Sequence, residues 1–317
     1  MATAIDYVLI AGASYISTRT DINWFPDPQG WTERTEFRRN NSNSGFEAVT
    51  FQKGLEIVIS FAGTNPSDLS GDMVANVGLA TGVGSDQLRQ AAEYYLQVQA
   101  ANPEATITFT GHSLGGGLAA LMGVFFGKHA VTFDQAPFAN SAEVSLILPD
   151  VAANLKIYLL ERSYREDELQ GLTDFLNVRA ALPLGEIPNS SLVTSINVDG
   201  EFLSGVPYNV LDRIGPSASI PTHAPGVSGD DLHSIALLTL FLQSMKTAPS
   251  GQTLNGVTFK LTDLMAMVFS RDLYRFDTNT PNQNFLERLV QNETGNAMVT
   301  RFTNDLWKLA QDGGLTM

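Results

Sequence analysis

The sequence contains no cysteine, which excludes disulfide bonds, thiolate catalysis and cysteine-ligated metals. Basic residues are also scarce, because 19 Lys and Arg stand against 33 Asp and Glu, for a formal net charge of −14. Such a chain would release no counterions from a phosphate backbone, so nucleic acid is not an expected partner. No apolar run is long enough to span a bilayer, which excludes an integral membrane segment. Internal repeats and low-complexity tracts are absent as well.

What remains is an acidic globular protein. The 317 residues are 44% hydrophobic and 16% charged, which suits one large α/β domain or a core with a smaller appendage. The N-terminal stretch MATAIDYVLIAGASYIS has no basic leader, and Asp6 interrupts its apolar residues. We therefore interpret it as a first helix rather than a signal peptide. We expect a soluble chain whose location stays open, with export by a route that needs no such peptide as one alternative.

Short apolar segments typical of strands alternate along the chain with longer segments typical of helices. A helix is predicted at 85–101. Strands are predicted at 55–63, 105–110, 130–138 and 191–198. The first of these is continuously apolar, which is typical of a parallel strand buried on both faces. Strands that alternate with helices over short connections predict a mostly parallel, doubly wound sheet.

Two regions depart from this alternation. Residues 141–190 are mostly helical in pattern and are predicted to be an insertion over the upper edge of the sheet. Residues 246–317 are also helical in pattern. We interpret residues 1–245 as the catalytic core, and the rest as a helical extension packed on it.

The most informative segment is ATITFTGHSLGGGLAAL, residues 105–121. A β-branched run leads into G-x-S-x-G and then into good helix formers, which is the order of a strand, a sharp turn and a helix. In that elbow the serine oxygen stands exposed at the helix N-terminus. Gly111 and Gly115 are needed because a Cβ at either position would clash in so tight a turn. Ser113 is the predicted nucleophile.

A serine hydroxyl needs a base within hydrogen-bond reach. Of the four histidines, His112 should point away from the side that Ser113 presents. His129 falls where the helix after the elbow should end, which favours a structural role. The late histidines His223 and His233 both remain candidates, and His233 is preferred because an adjoining helix would fix its ring.

The acid that orients the base should lie between Ser113 and His233, after the end of a strand. Asp199 and Glu201 both satisfy that condition, and Asp134 is a third candidate. The oxyanion needs preorganised N–H donors. The backbone of Leu114 is one expected donor, and Thr64, in the loop that follows the strand at 55–63, is the second.

These residues resemble the class 3 lipases, the family of the fungal triacylglycerol lipases and their bacterial relatives. ISFAGTNPSD is similar to the family's oxyanion segment, TFTGHSLGGGLAAL to its nucleophile segment, and VTFDQAPF to its T-F-G-Q-P stretch. The resemblance covers about residues 46–245 and implies an α/β-hydrolase fold. It implies Ser113 as nucleophile and Leu114 and Thr64 as oxyanion donors. A family pattern of acid followed by an apolar residue two positions later implies Glu201 as the acid, with Asp199 as a close alternative.

The expected activity is hydrolysis of apolar acyl esters through an acyl-enzyme on Ser113. Phospholipase A1 activity is a variant of the same chemistry, and a catalytically silent binding domain on the same fold is the alternative. The chemistry needs no cofactor, and no His/Asp cluster has metal-ligand spacing in the sequence. The expected partner is a small acyl ester or lipid, with at most transient contact with a lipid surface.

Overall fold

The described residues form a central sheet of eight strands. The computed structural model describes residues 2–17, 25, 27–63, 84–144, 150–206, 208–220, 229–235, 238–239 and 242. The strands are β1 (Thr32–Glu33), β2 (Arg39–Asn41), β3 (Phe46–Lys53), β4 (Glu56–Phe61), β5 (Thr106–His112), β6 (Ala130–Phe133), β7 (Val193–Val198) and β8 (Ser217–Ile220). The helices are α1 (Ala4–Ala13), α2 (Gly84–Ala101), α3 (Leu114–Phe126), α4 (Ala139–Ala142), α5 (Val151–Glu161), α6 (Gln170–Arg179) and α7 (Gly229–Leu232).

The strand order determines where a site can form. It runs β1-β3-β4-β5-β6-β7-β8, with β2 also paired to β3. Strands β1 to β4 pair antiparallel, and β4 to β8 pair parallel, with Phe61 opposite Gly111 and His112 opposite Phe133. The carboxyl ends of β5, β6 and β7 therefore meet at one edge, where open α/β sheets bind ligands. This is the mostly parallel sheet that the sequence predicts, in agreement with the α/β-hydrolase fold that the family resemblance implies.

Both faces of the sheet are covered. Ile57, Ile59 and Phe61 of β4 point into the larger core beneath α2 to α6. Val58, between them, points to the opposite face, where Leu9 of α1 and Leu238 pack. This alternation follows from the two-residue period of a strand. Because both of its faces are buried, β4 is apolar along most of its length, and this is why its position could be predicted.

The sequence prediction missed strands on both sides of the sheet and made one strand too long. Strands β1 to β3 and β8 were not predicted, although the helix and the strands around the elbow were. The strand predicted at 130–138 ends at Phe133, because Asp134 follows with a φ of 40°, a left-handed value that no strand continues. Among the described residues, no helix combines the length and apolar character needed to cross a membrane.

The helices of the 141–190 region lie elsewhere than expected. Instead of lying over the upper edge of the sheet, α5 packs on α2, and α6 packs on α3. The rings of Phe125 and Phe175 meet 4.9 Å apart, and the buried side chains Leu155, Leu159 and Leu172 join the larger core. Apolar stripes on α5 and α6 thus extend the helical layer. The predicted extension at 246–317 lies outside the described residues.

Candidate active site

Ser113 occupies a sharp turn between β5 and α3. Its backbone has φ 58° and ψ −126°, a conformation that is strained for any residue other than glycine. The neighbouring glycines make the turn feasible. A Cβ on Gly111 would lie 2.3 Å from the carbonyl oxygen of Gly115, and one on Gly115 would lie 2.1 Å from that of Phe61. The elbow therefore has the strand, turn and helix that its sequence predicts.

The backbone around Ser113 is also where oxyanion donors were expected. Leu114 is the first residue of α3, so its N–H has no partner within the helix. Gly63 follows β4 and approaches closely, because a Cβ on it would lie 3.0 Å from the Cβ of Ser113. Thr64, the second predicted donor, lies outside the described residues.

His233 lies beside the hydroxyl of Ser113. Its Nε2 is 2.8 Å from Ser113 Oγ, and its Nδ1 is 2.7 Å from Oε2 of Glu201. Because the ionised carboxylate of Glu201 can only accept a hydrogen bond, Nδ1 of His233 carries the proton. Nε2 then accepts a hydrogen bond from the hydroxyl of Ser113. His233 follows the short helix α7, and the Phe202 ring meets it edge-on, with centroids 6.2 Å apart. The structure thus brings three of the predicted residues into one hydrogen-bonded row.

Glu201 is fully enclosed by donors. Oε1 accepts from Arg213 Nη2 at 2.6 Å and from Ser204 Oγ at 2.9 Å, and Oε2 also accepts from the backbone N–H of Leu203 at 2.7 Å. Burial raises the pKa of this carboxyl group, but the hydrogen bond from His233 and the charges of His233 and Arg213 outweigh burial. The pKa of Glu201 therefore lies below its usual value, and Glu201 is ionised at neutral pH.

The remaining candidates lie apart from this row. Asp199, the close alternative for the acid, is exposed and accepts a hydrogen bond from the Ser219 hydroxyl. His129 lies two residues beyond Gly127, which ends α3 in a left-handed conformation. His223 lies outside the described residues.

His112 was expected to point away from the side that Ser113 presents. It is not the base, but its ring lies against that of His233, with centroids 4.7 Å apart. The side chains of β5 alternate, so His112 shares the α1 face with Thr108 and Thr110. Tyr15, just after α1, lies 2.7 Å from His112 Nδ1 through its hydroxyl. The sequence signal for this contact was the two-residue strand period carried to the end of β5.

Asp134 completes a second polar group behind His233. Its Oδ1 accepts from the N–H of Val198 at 2.8 Å, and its Oδ2 lies 3.8 Å from His112 Nε2. Burial raises the pKa of Asp134 and lowers that of His112. Asp134 was one candidate for the acid that orients the base. Glu201 occupies that position instead, because it accepts the hydrogen bond from His233 Nδ1.

The same group bears on metal binding. Ligand atoms of His112, Asp134 and His233 lie within 4.8 Å of one another, a proximity that sequence spacing did not reveal. An ion there would need a nitrogen of His233, and both of its nitrogens are engaged by Ser113 and Glu201. Metal binding at this position would thus compete with the hydrogen-bonded row.

Comparisons with known proteins agree with the resemblance read from the sequence. Residues 27–144 match the family model of the Tle-like phospholipase domain. An extracellular phospholipase A1 of Serratia liquefaciens is 39% identical over 97 residues, which are 31% of this chain and 29% of that protein. This chain thus matches less than a third of that relative's length. The resemblance to lipase-like hydrolases is confirmed.

Solved lipases also match. A lipase of Rhizopus microsporus var. chinensis is 15% identical with a TM-score of 0.40, over 69% of this chain and 76% of that one. The Lip2 lipase of Yarrowia lipolytica is 16% identical with a TM-score of 0.39, over 68% and 76% of the two chains.

Proposed function

We propose that this chain is a serine carboxylic-ester hydrolase that cleaves acyl esters of lipids. The observation that carries the proposal is the row of hydrogen bonds from Ser113 through His233 to Glu201, at 2.8 and 2.7 Å. A nucleophile, a base and an orienting acid in this order are what acyl transfer from an ester requires. The strained turn at Ser113 supports it further, because such strain clusters at functional sites.

In the proposed reaction Ser113 Oγ attacks the ester carbonyl carbon while its proton passes to His233 Nε2. The carbonyl electrons move to oxygen, and the backbone N–H of Leu114, with Thr64, is proposed to bind that oxyanion. Collapse breaks the bond to the alcohol, which takes the proton from His233. Water then attacks the acyl-enzyme by the same steps and releases the acid. Glu201 stays ionised throughout and holds His233 in its reactive tautomer.

We propose glycerophospholipids as the substrate class, with release of the acyl chain from the first glycerol carbon. The match of residues 27–144 to a phospholipase domain and the Serratia relative named as a phospholipase A1 support this choice. That relative is also named as extracellular. We extend the proposal to export of this chain, which cell fractionation of the producing organism would test.

Replacing the nucleophile tests the reaction. Ser113→Ala is expected to lower hydrolysis of p-nitrophenyl acyl esters and of phosphatidylcholine by at least about 10³-fold, because no other group supplies the attacking oxygen. Ser191→Ala, at an exposed serine just before β7, is the matched control and should keep full activity. Undiminished turnover by Ser113→Ala would overturn the proposal.

The alternative function, a catalytically silent binding domain, is tested by covalent labelling of the serine rather than by hydrolysis of a substrate. A fluorophosphonate probe reacts only with an activated serine, so the wild-type chain should be labelled and Ser113→Ala should not. An unlabelled but folded wild-type chain would favour the binding domain.

A further inference from the structure

The backbone that follows β4 needs support beyond the sheet. Strand β4 ends at Phe61, and the N–H of Ala62 donates to the carbonyl of Glu47 at 3.0 Å. This is the last backbone hydrogen bond along the segment in the described part of the chain. Gly63 follows and is buried, so its N–H requires a partner other than the sheet. In sequence Gly63 directly precedes Thr64, the predicted second oxyanion donor.

The side chain of Tyr15 provides that partner. Tyr15 lies two residues after the end of α1, the helix that packs on β4 and β5. A Cβ on Gly63 would lie 2.6 Å from the Tyr15 hydroxyl oxygen, and this oxygen accepts a hydrogen bond from the backbone of Gly63. Burial raises the pKa of Tyr15 by more than this hydrogen bond lowers it, so the hydroxyl keeps its proton at neutral pH.

Tyr15 also bonds the strand that carries the nucleophile. Its hydroxyl oxygen lies 2.7 Å from Nδ1 of His112, the residue directly before Ser113. The pKa of His112 is lowered by burial, so its ring is neutral at neutral pH and keeps one nitrogen that accepts. Because the Tyr15 oxygen accepts from Gly63, its own proton is available to that nitrogen. One hydroxyl group thus joins the ends of β4 and β5.

The absence of a side chain at Gly63 lets these groups meet. A Cβ there would lie 2.9 Å from the carbonyl oxygen of His112 and 3.0 Å from the Cβ of Ser113, in addition to its clash with Tyr15. The Gly63 backbone therefore lies against Tyr15 and the nucleophile turn at once. Catalytic groups must be held within about 0.5 Å of their productive positions, so the support of Gly63 bears directly on the reaction.

We propose that Tyr15 is a positioning residue that holds Gly63 against the nucleophile turn and thereby keeps the oxyanion donors in place while Ser113 attacks. The inference rests on the proposed function and adds one residue to it. Tyr15 transfers no proton in the reaction and acts through the backbone of Gly63. Donors that are already in position stabilise the charge on the carbonyl oxygen, so the role is expressed in the transition state rather than in substrate binding.

Tyr15→Phe tests the inference, because it removes the hydroxyl oxygen and keeps the ring. With p-nitrophenyl esters, kcat should fall about tenfold or more while KM changes less than about twofold, since a displaced oxyanion donor weakens transition-state binding alone. A trifluoromethyl ketone with the same acyl chain forms an oxyanion when Ser113 adds to it, and its affinity should fall by a similar factor.

Amide exchange measures the hydrogen bond itself. The dipeptide Ala-Gly occurs only at 11–12 and 62–63 in the sequence, so the full chain labelled with ¹³C-carbonyl alanine and ¹⁵N-glycine gives two selected NMR signals. The amide proton of Gly63 should exchange about fivefold faster in Tyr15→Phe, because one hydrogen bond is lost. Gly12, inside α1, is the internal reference and should keep its rate.

Tyr7→Phe is the matched control. Tyr7 lies in α1, and its hydroxyl is 3.2 Å from the hydroxyl of Thr108 in β5, so this variant also removes a tyrosine hydrogen bond to β5. Both variants should lower the urea midpoint slightly. Tyr7→Phe should nevertheless keep kcat and the exchange rate of Gly63.

An unchanged exchange rate of Gly63 in Tyr15→Phe, or a loss of kcat no larger than that of Tyr7→Phe, would overturn the inference. If Tyr15→Phe does not fold, the wild-type chain is decisive, because absence of a nuclear Overhauser effect between the Gly63 amide proton and the Tyr15 ring would also overturn it. A wild-type chain that hydrolyses no ester, while Tyr15→Phe still frees the Gly63 amide, would overturn the proposed function and leave Tyr15 as the residue that holds Gly63.

Discussion

Ser113 carries a backbone conformation that costs about 1–3 kcal/mol in a residue with a side chain. The surrounding bonds hold it there, since its N–H donates to Phe133 and its carbonyl accepts from Gly117 and Ala136. The nucleophile is thus fixed by backbone bonds to α3, to the end of β6 and to the turn after it. The backbone of Ser113 is therefore held by bonds that do not involve His233.

The two carboxylates near the end of β7 provide a direct test of the acid. Glu201→Gln should lower kcat/KM for p-nitrophenyl esters by about 10³-fold, because the amide no longer stabilises a protonated ring or fixes its tautomer. Asp199→Asn should stay within about twofold of wild type, since Asp199 is exposed and accepts from the Ser219 hydroxyl, while Glu201 bonds His233 Nδ1. Equal losses in the two variants would contradict the assignment of Glu201.

The sequence predicted the residues of the site that carry a local signal. Ser113 stands in a five-residue pattern, and His233 joins a glycine-bearing loop to an apolar helix. The choice between Asp199 and Glu201 was harder, because the two differ only in which side of one turn they face. The proximity of His112 and Asp134 to His233 has no local signal, because it depends on how β5 and β6 lie beside each other in the sheet.

At the scale of elements, the contact between α3 and β4 sets the geometry of the site. The first turn of α3 touches the carbonyl oxygen of Phe61 and the backbone of Ala62 at Gly115. The same residues lead into Gly63, which lies against Ser113. A helix that moved away from β4 would therefore separate the nucleophile from Gly63.

Gly115→Ala tests that contact. Its Cβ would lie 2.1 Å from a backbone oxygen, so we expect a loss of about 3 kcal/mol or more in the free energy of unfolding and a large loss of activity. Gly123→Ala, in the same helix, would meet Lys128 O at 3.1 Å, and the gain in helix propensity of about 1 kcal/mol should offset that crowding. Urea unfolding of both variants gives the comparison. A Gly115→Ala chain as stable as Gly123→Ala would show that the close approach is unimportant.

Strands β4 to β7 were predicted from the sequence, whereas the buried strand β3 and the strands β1, β2 and β8 were not. The apolar run of β4 and the β-branched residues of β5 are typical of strands in a covered sheet. In contrast, β1 has two residues and β2 has three exposed ones, and β8 contains small polar residues. These strands exist because a neighbour supplies the hydrogen bonds, which a propensity argument does not detect.

At the scale of the whole molecule, the charge of −14 affects which surfaces the chain approaches. Anionic lipid carries a negative surface potential, and repulsion acts over about one Debye length. A lipid hydrolase with this charge is therefore expected to meet an electrostatic barrier at anionic membranes, and salt should lower that barrier.

Vesicle hydrolysis measures this barrier. At about 0.01 M salt, where the Debye length is about 30 Å, phosphatidylcholine vesicles should be cleaved several-fold faster than vesicles containing phosphatidylglycerol. At about 1 M salt the Debye length is about 3 Å, and the difference should disappear. Hydrolysis of a short neutral p-nitrophenyl ester is the control and should change little with salt. A preference for anionic vesicles that persists at both salt concentrations would contradict the argument.

The hydrogen bond between Ser113 and His233 joins residues 120 positions apart, and that between His233 and Glu201 joins residues 32 apart. A growing polypeptide leaving the ribosome therefore carries an inert alcohol at Ser113 until more than a hundred further residues have been synthesised. Refolding experiments gain a convenient signal from this separation. Recovery of covalent probe labelling reports the moment when distant parts of the chain have come together, which secondary-structure spectroscopy does not detect.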